Sequence, residues 1–139
     1  MLNEVSKTFT FEAAHRLLKD YKGKCSNNHG HSWIIKVTVG SDILDSKGMV
    51  IDFNELKRLK QWIDDTLDHT TILWKEDPMV EYIKKSNQRF FLTDDNPTSE
   101  KIGKIIFQKA IELFENNKIK VISVEVSETC TSTAIIKGI

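Results

Sequence analysis

From Val5 to His15 the chain alternates with a period of two, and from His29 to Val39 it alternates again. The odd positions of the first run are Val5, Lys7, Phe9, Phe11, Ala13 and His15; those of the second are His29, His31, Trp33, Ile35, Val37 and Val39. Successive side chains of a strand point to opposite faces, so each run predicts a strand with one aromatic and aliphatic face turned to a core. Tyr21 to Asn28, YKGKCSNN, is rich in turn formers and predicts a loop. The two strands therefore read as an antiparallel pair joined by roughly a dozen residues, longer than a usual hairpin connection and a place to look for function.

The rest of the chain predicts helices and two further strands. Ser46-Lys47-Gly48 marks a turn, and Asp52 with Glu55 has capping-box spacing. Phe53, Leu56, Leu59, Ile63 and Leu67 then follow helical spacing to about Asp68. Residues 74–95 are less regular and predict a short helical turn, then an extended piece around Arg89–Leu92. Asn96 can cap a second long helix with Pro97 in its first turn, and Ile102, Ile105, Ile106, Ala110, Leu113 and Phe114 form its apolar stripe. KVISVEVSET and TAIIKG read as two last strands, the first presenting Ile122, Val124, Val126 and Glu128 on one face. The order β-β-α-α-β-β makes an α+β fold, an antiparallel four-stranded sheet with two helices on one face. Its edges and uncovered face argue for assembly with other copies.

With 139 residues and no repeat, low-complexity tract or linker, the chain is expected to form a single domain over residues 1–139. Twenty Lys+Arg balance twenty Asp+Glu, so net charge points to neither nucleic acid nor an anionic membrane, and any anion site must be local. No apolar run approaches the ~20 residues of a membrane span. The N-terminus, polar early at Glu4, does not read as a secretory signal. Cys25 and Cys130 read as reduced thiols, so a cytoplasmic location is expected.

KCSNNHGHSW, residues 24–33, gathers a cysteine and two histidines into a short stretch. His29 and His31 share a face of their strand, and His15, at the far end of the first strand, lies beside them with the same parity. Three imidazoles with one open position are the ligand set of a catalytic zinc site. Cys25 is either a fourth ligand, closing the site as a structural one, or a free thiol acting as base or nucleophile. His69 follows Asp68 where the first helix ends: either a proton-relay pair or a histidine favoured by the helix dipole. Glu128 is either exposed at the sheet's end or kept for a ligand.

FTFEAAHRL, C-x-x-x-HGHS, GMVIDFNELK, LDH, NPTSE and ETCTS occur in this order. Together they resemble the 6-pyruvoyltetrahydropterin synthase family, most closely its bacterial 6-carboxy-5,6,7,8-tetrahydropterin synthase branch. The resemblance covers nearly the whole chain except about residues 74–92. It implies a tunnelling fold whose sheets join into a barrel on oligomerisation, as a trimer and commonly a hexamer. It also implies one zinc per subunit on His15, His29 and His31, catalysis by Cys25, Asp68 and His69, and a pterin anchored by Glu128. The implied reaction takes 7,8-dihydroneopterin triphosphate to 6-carboxytetrahydropterin, acetaldehyde and triphosphate, in queuosine biosynthesis. The short loop before HGH favours this branch over pyruvoyl-forming members, which eliminate triphosphate without breaking the carbon chain. A non-catalytic protein with a structural zinc is the alternative of another class. Arg16, Lys22 and Lys24 are candidates for the triphosphate.

Overall fold

A computed structural model describes residues 1–138 of the chain. Its elements are β1 (Asn3–His15), β2 (His29–Ser41), α1 (Phe53–Thr66), β3 (Thr70–Trp74), α2 (Met79–Lys85), β4 (Phe90–Thr93), α3 (Ser99–Phe114), β5 (Lys120–Thr129) and β6 (Ser132–Lys137). The two alternating runs form the expected antiparallel pair, in unbroken register from Asn3 opposite Ser41 to His15 opposite His29. Phe9, Phe11, Ala13 and His15 of β1 are buried with Trp33, Ile35, Val37 and Val39 of β2, while Glu4, Ser6, Thr8, Thr10 and Glu12 stay exposed.

The six strands form one sheet in the order β4-β3-β1-β2-β5-β6. The four expected strands are its antiparallel part, β1-β2-β5-β6. The expectation of four strands and two helices is corrected between residues 70 and 93. There β3 lies parallel to β1, β4 lies parallel to β3, and the short helix α2 joins them. Thr70, Thr71, Ile72 and Leu73 are all buried, so β3 carries no polar–apolar alternation to betray it. Among the described residues no helix is long and apolar enough to cross a membrane.

Helices α1 and α3 cover the apolar face. α1 buries Leu56, Leu59 and Ile63, but Phe53, expected in the stripe, opens the helix and is exposed. On α3 the buried positions are Ile102, Gly103, Ile106, Phe107, Ala110 and Phe114; Ile105 and Leu113 are only half-buried. Asp52 caps α1 by accepting from Asn54 N at 2.8 Å. The cap of α3 is Thr98, whose hydroxyl accepts from Lys101 N at 3.1 Å, rather than Asn96. Asn96 is spent elsewhere: its Oδ1 accepts from Leu18 N and Lys19 N, and its Nδ2 donates to Lys19 O.

β5 is bulged twice. Thr38 pairs with Ser123 and Val39 with Val121, so Ile122 is the extra residue and Val121 takes the core side in its place. Beyond that bulge Val124 and Val126 are buried as the alternation predicts. The second irregularity lies between Ser127 and Thr129, where Glu128 has no partner on β6.

α3 packs closely on β5 and β6 because residue 103 is glycine. A Cβ there would meet Ile136 Cγ1 at 2.7 Å and Val126 Cγ2 at 3.2 Å. Gly103→Val is expected to destabilise the protein by about 1–3 kcal/mol through overpacking. Urea unfolding checks this as a lower midpoint at unchanged slope; an unchanged midpoint would contradict the packing described.

Candidate metal centre and surrounding groups

The register of β1 on β2 sets His15 opposite His29 and Ala13 opposite His31, so three imidazoles meet at one end of the buried face. Their ring centroids lie 4.6 to 5.2 Å apart. Trp33 forms the floor, its ring edge-on to His15 at 4.9 Å and to His31 at 5.3 Å. Its indole N–H donates to Ala13 O, which holds the floor to β1.

Two backbone carbonyls decide which nitrogen is free on two of the rings. His15 Nδ1 lies 2.8 Å from Pro97 O, and His29 Nδ1 lies 2.7 Å from Asn27 O. A carbonyl only accepts, so each Nδ1 carries the hydrogen and each Nε2 keeps its lone pair. His15 Nε2 and His31 Nε2 are buried without a hydrogen-bond partner. Glu128 Oε2 comes within 3.3 Å of the first and 2.9 Å of the second, but neither nitrogen forms an aligned hydrogen bond with it. The ligand atoms of His15, His29, His31 and Glu128 all lie within 4.8 Å of one another. Partnerless buried nitrogens on His15 and His31 facing a common space, with the rings of His15 and His29 oriented through Nδ1, are what a divalent ion of the zinc type requires. Burial pushes the His15 pKa below its ordinary 6.5, outweighing the Pro97 carbonyl and Glu128, while His29 and His31 deepen the shift. A neutral imidazole is the ligating form.

Cys25 is not in the ligand cluster. It sits half-buried on a single turn of 3-10 helix, Lys24–Ser26, with the Tyr21 phenol beside it. Hydrogen bonding to Cys25 is the main cause that raises the Tyr21 pKa. The thiol thus stands apart from the group of His15, His29, His31 and Glu128 that it would have to join to close a four-ligand site.

Asp68 and His69 do form a pair, with His69 Nδ1 2.8 Å from Asp68 Oδ2. The other oxygen, Asp68 Oδ1, accepts from Glu12 N at 2.8 Å. Burial opposes ionisation of Asp68, but the Glu12 N–H and His69 outweigh it and hold the carboxyl below its usual range. His69 and His31 line one open depression of about 390 Å³ with Glu12, Gly30, Ser32 and Thr70. Among the described residues no hydrogen bond joins Cys25 to this pair.

Glu128 is neither free at the sheet's end nor idle. Its Oε1 accepts from Ser99 Oγ at 2.9 Å, and with Ser99, Glu100, Ser132, Thr133 and Ile135 it lines a second depression of about 380 Å³. Of the three cations considered for a phosphate chain, Lys22 and Lys24 are exposed, while Arg16 is already held by the buried Asp77 carboxylate. Sequence reasoning missed Pro97 and Ser99 as site residues. Both stand in NPTSE, where their place before and at the start of a helix hid their second role.

The family model described as 6-pyruvoyl tetrahydropterin synthase matches residues 4–138. The chain is 33% identical over 154 residues to the 6-carboxy-5,6,7,8-tetrahydropterin synthase of Aquifex aeolicus, covering 94% of this chain and 95% of that one. To the protein of the same name from Synechocystis sp. it is 38% identical over 139 residues, covering 94% and 89%. The 6-pyruvoyl tetrahydropterin synthase of Caenorhabditis elegans has a similar structure, with TM-score 0.74 and 27% identity over 99% of this chain and 96% of that one. An uncharacterized protein of Wolinella succinogenes, TM-score 0.85 at 24% identity over 99% and 98%, shares the fold.

The burial of His15 has a measurable consequence. Below the ordinary pKa of 6.5 the unfolded chain binds a proton that the folded chain refuses. The stability of the metal-free protein is therefore expected to be full above that pH and to fall as pH drops below it. Thermal unfolding at about pH 7.5 and about pH 5.5 checks the sign, and His15→Gln should lose much of the difference.

Proposed function

The chain belongs to the 6-pyruvoyl tetrahydropterin synthase family, and we propose that it is a zinc-dependent 6-carboxy-5,6,7,8-tetrahydropterin synthase. In this reading it is a cytoplasmic lyase that converts 7,8-dihydroneopterin triphosphate to 6-carboxytetrahydropterin, acetaldehyde and triphosphate on the way to queuosine. The observation that carries it is the pair of buried, partnerless Nε2 atoms on His15 and His31 beside the ring of His29. These three histidines would hold the zinc, which when bound supplies Lewis acidity toward the hydroxyls of the substrate side chain.

The chain's own groups divide the remaining work. Cys25, outside the ligand cluster, is free to take a proton from the side chain as a thiolate. Asp68 holds the Nδ1–H of His69, which leaves Nε2 to accept a proton and return it elsewhere. Glu128 can accept two parallel N–H bonds from a 2-amino-4-oxopyrimidine edge, which selects a pterin ring. The depression it shares with Ser99 and Thr133 gives the ring a place. The single domain would work as a homo-oligomer built on trimers and reaching a hexamer. Support comes from the two sheet edges, β4 and β6, which carry the exposed Phe90 and Ile135.

Zinc-loaded protein incubated with 7,8-dihydroneopterin triphosphate is expected to release acetaldehyde and triphosphate together. Triphosphate without acetaldehyde would mark a pyruvoyl-forming enzyme instead. Cys25→Ala is expected to keep zinc and fold while turnover falls by about 10²-fold or more; lost zinc would mean a structural thiolate ligand. For Glu128→Gln, full zinc content with a raised KM is expected. Zinc loss in that variant would make Glu128 a ligand rather than the pterin anchor.

A further inference from the structure

Helix α1 does not end with the hydrogen bonds a regular helix would make. Asp68 N and His69 N would ordinarily serve the carbonyls of Asp64 and Asp65, four residues back. Asp68 N instead joins Leu67 N on Ile63 O, and His69 N crosses to Glu12 O at 2.6 Å. The Arg89 guanidinium takes over both abandoned carbonyls, with Nη2 3.2 Å from Asp64 O and 3.4 Å from Asp65 O. It also donates twice to Asp68 O, from Nη2 at 3.0 Å and from Nε at 3.3 Å. A cation over helix C-terminal carbonyls is favourable in itself. Here it also grips the residue whose carboxylate orients His69.

His69 needs such a grip. Its backbone sits in the left-handed region at φ 58°, which a side chain other than glycine rarely adopts unless its surroundings impose it. Its side chain is 74% exposed, and among the described residues its one side-chain hydrogen bond is to Asp68. With so little packing, the aim of the ring is inherited from the turn beneath it. That turn is held from two sides, by Glu12 of β1 and by Arg89 at the start of β4. Arg89 lies in the stretch between LDH and NPTSE that the sequence motifs leave uncovered.

We propose that Arg89 is the positioning residue of the Asp68–His69 pair: by replacing the two lost helical donors and fixing the Asp68 carbonyl, it holds the turn that aims His69. The proposal rests on the reading above, in which His69 carries protons. Arg89→Met is expected to lower kcat by about tenfold or more, with KM and zinc content essentially unchanged. Amide exchange at His69 should quicken, while exchange in the core of β1 and β2 stays as it was. Arg89→Lys, whose ammonium stops one bond short of Nη2 and which has no Nε–H for Asp68 O, should recover little activity, and added guanidinium should restore part of it to Arg89→Met. In a His69→Ala background Arg89→Met should cost nothing further in kcat. Wild-type kcat in Arg89→Met, or the same loss with and without His69, would overturn the proposal and leave Arg89 a helix cap only. Wild-type turnover in His69→Ala would instead sink the relay reading. Exchange at His69 then decides on Arg89 alone: faster upholds the positioning, unchanged overturns it.

Discussion

A slip of one residue between β1 and β2 would turn Phe9, Phe11, Ala13 and His15 away from the helices and bring Thr8, Thr10 and Glu12 under them. Burying a large apolar side chain contributes roughly 1.5–3 kcal/mol, so losing Phe9 and Phe11 alone forfeits about 3–6 kcal/mol, comparable with the net stability of a small domain. The same register that packs Phe11 on Trp33 also brings His15 level with His29 and two residues from the level of His31. Core packing thus specifies the candidate metal site: the histidines continue the apolar parity of their strands, and the strands cannot be paired correctly without bringing them together.

Around that core a second set of contacts settles details that strand pairing leaves loose. Residues 96–99 contribute four consecutive ones. Asn96 ties down the chain after His15, the Pro97 carbonyl turns the His15 ring, Thr98 starts α3, and Ser99 holds Glu128. Proline suits its place: its missing N–H leaves nothing unpaired at the helix entrance, and its carbonyl stays free to accept from the imidazole. Glu128 follows the buried Val124 and Val126 on one face of β5, which brings its carboxylate to the histidines, and the irregularity beside it leaves it without a partner on β6. Burial of His15 then keeps its ring neutral and able to ligate.

The period-two strands, the three histidines on one face and the α+β class were legible because each depends on a pattern repeated along the chain. What escaped depends on single contacts. The four residues Thr70–Leu73 are uniformly buried and show no period, so β3 and the parallel pairs it makes were invisible. Asn96 and Thr98 are both good helix caps, and only the position of the loop at Leu18 and Lys19 decides between them. Ile122 continues the alternation of β5 in sequence, yet the bulge opposite Thr38 hands its core place to Val121. The ligand residues could be read as a set; the carbonyls of Pro97 and Asn27 could not, since every residue has one.

The segment between α1 and α3 bears on the candidate site through β1. Without β3, the segment Ala13–His15 would be an edge, held by β2 alone; with it, His15 is paired on both sides, opposite His29 and Ile72. Immediately beyond, Arg16 forms a two-pronged ion pair with Asp77, which is buried and also accepts from Met79 N at the start of α2. A buried pair of this kind adds little net stability, because desolvation of both charges offsets most of their attraction. Its geometry is another matter: a fork on a carboxylate fixes direction as well as distance. Backbone pairing on two sides and a directional ion pair one residue on leave the Cα of His15 little freedom, so ring rotation is what remains to be fixed, and Pro97 O fixes it. A side chain on a central strand tied in this way is held in place ahead of any ligand, which would spare a metal ion the cost of ordering it.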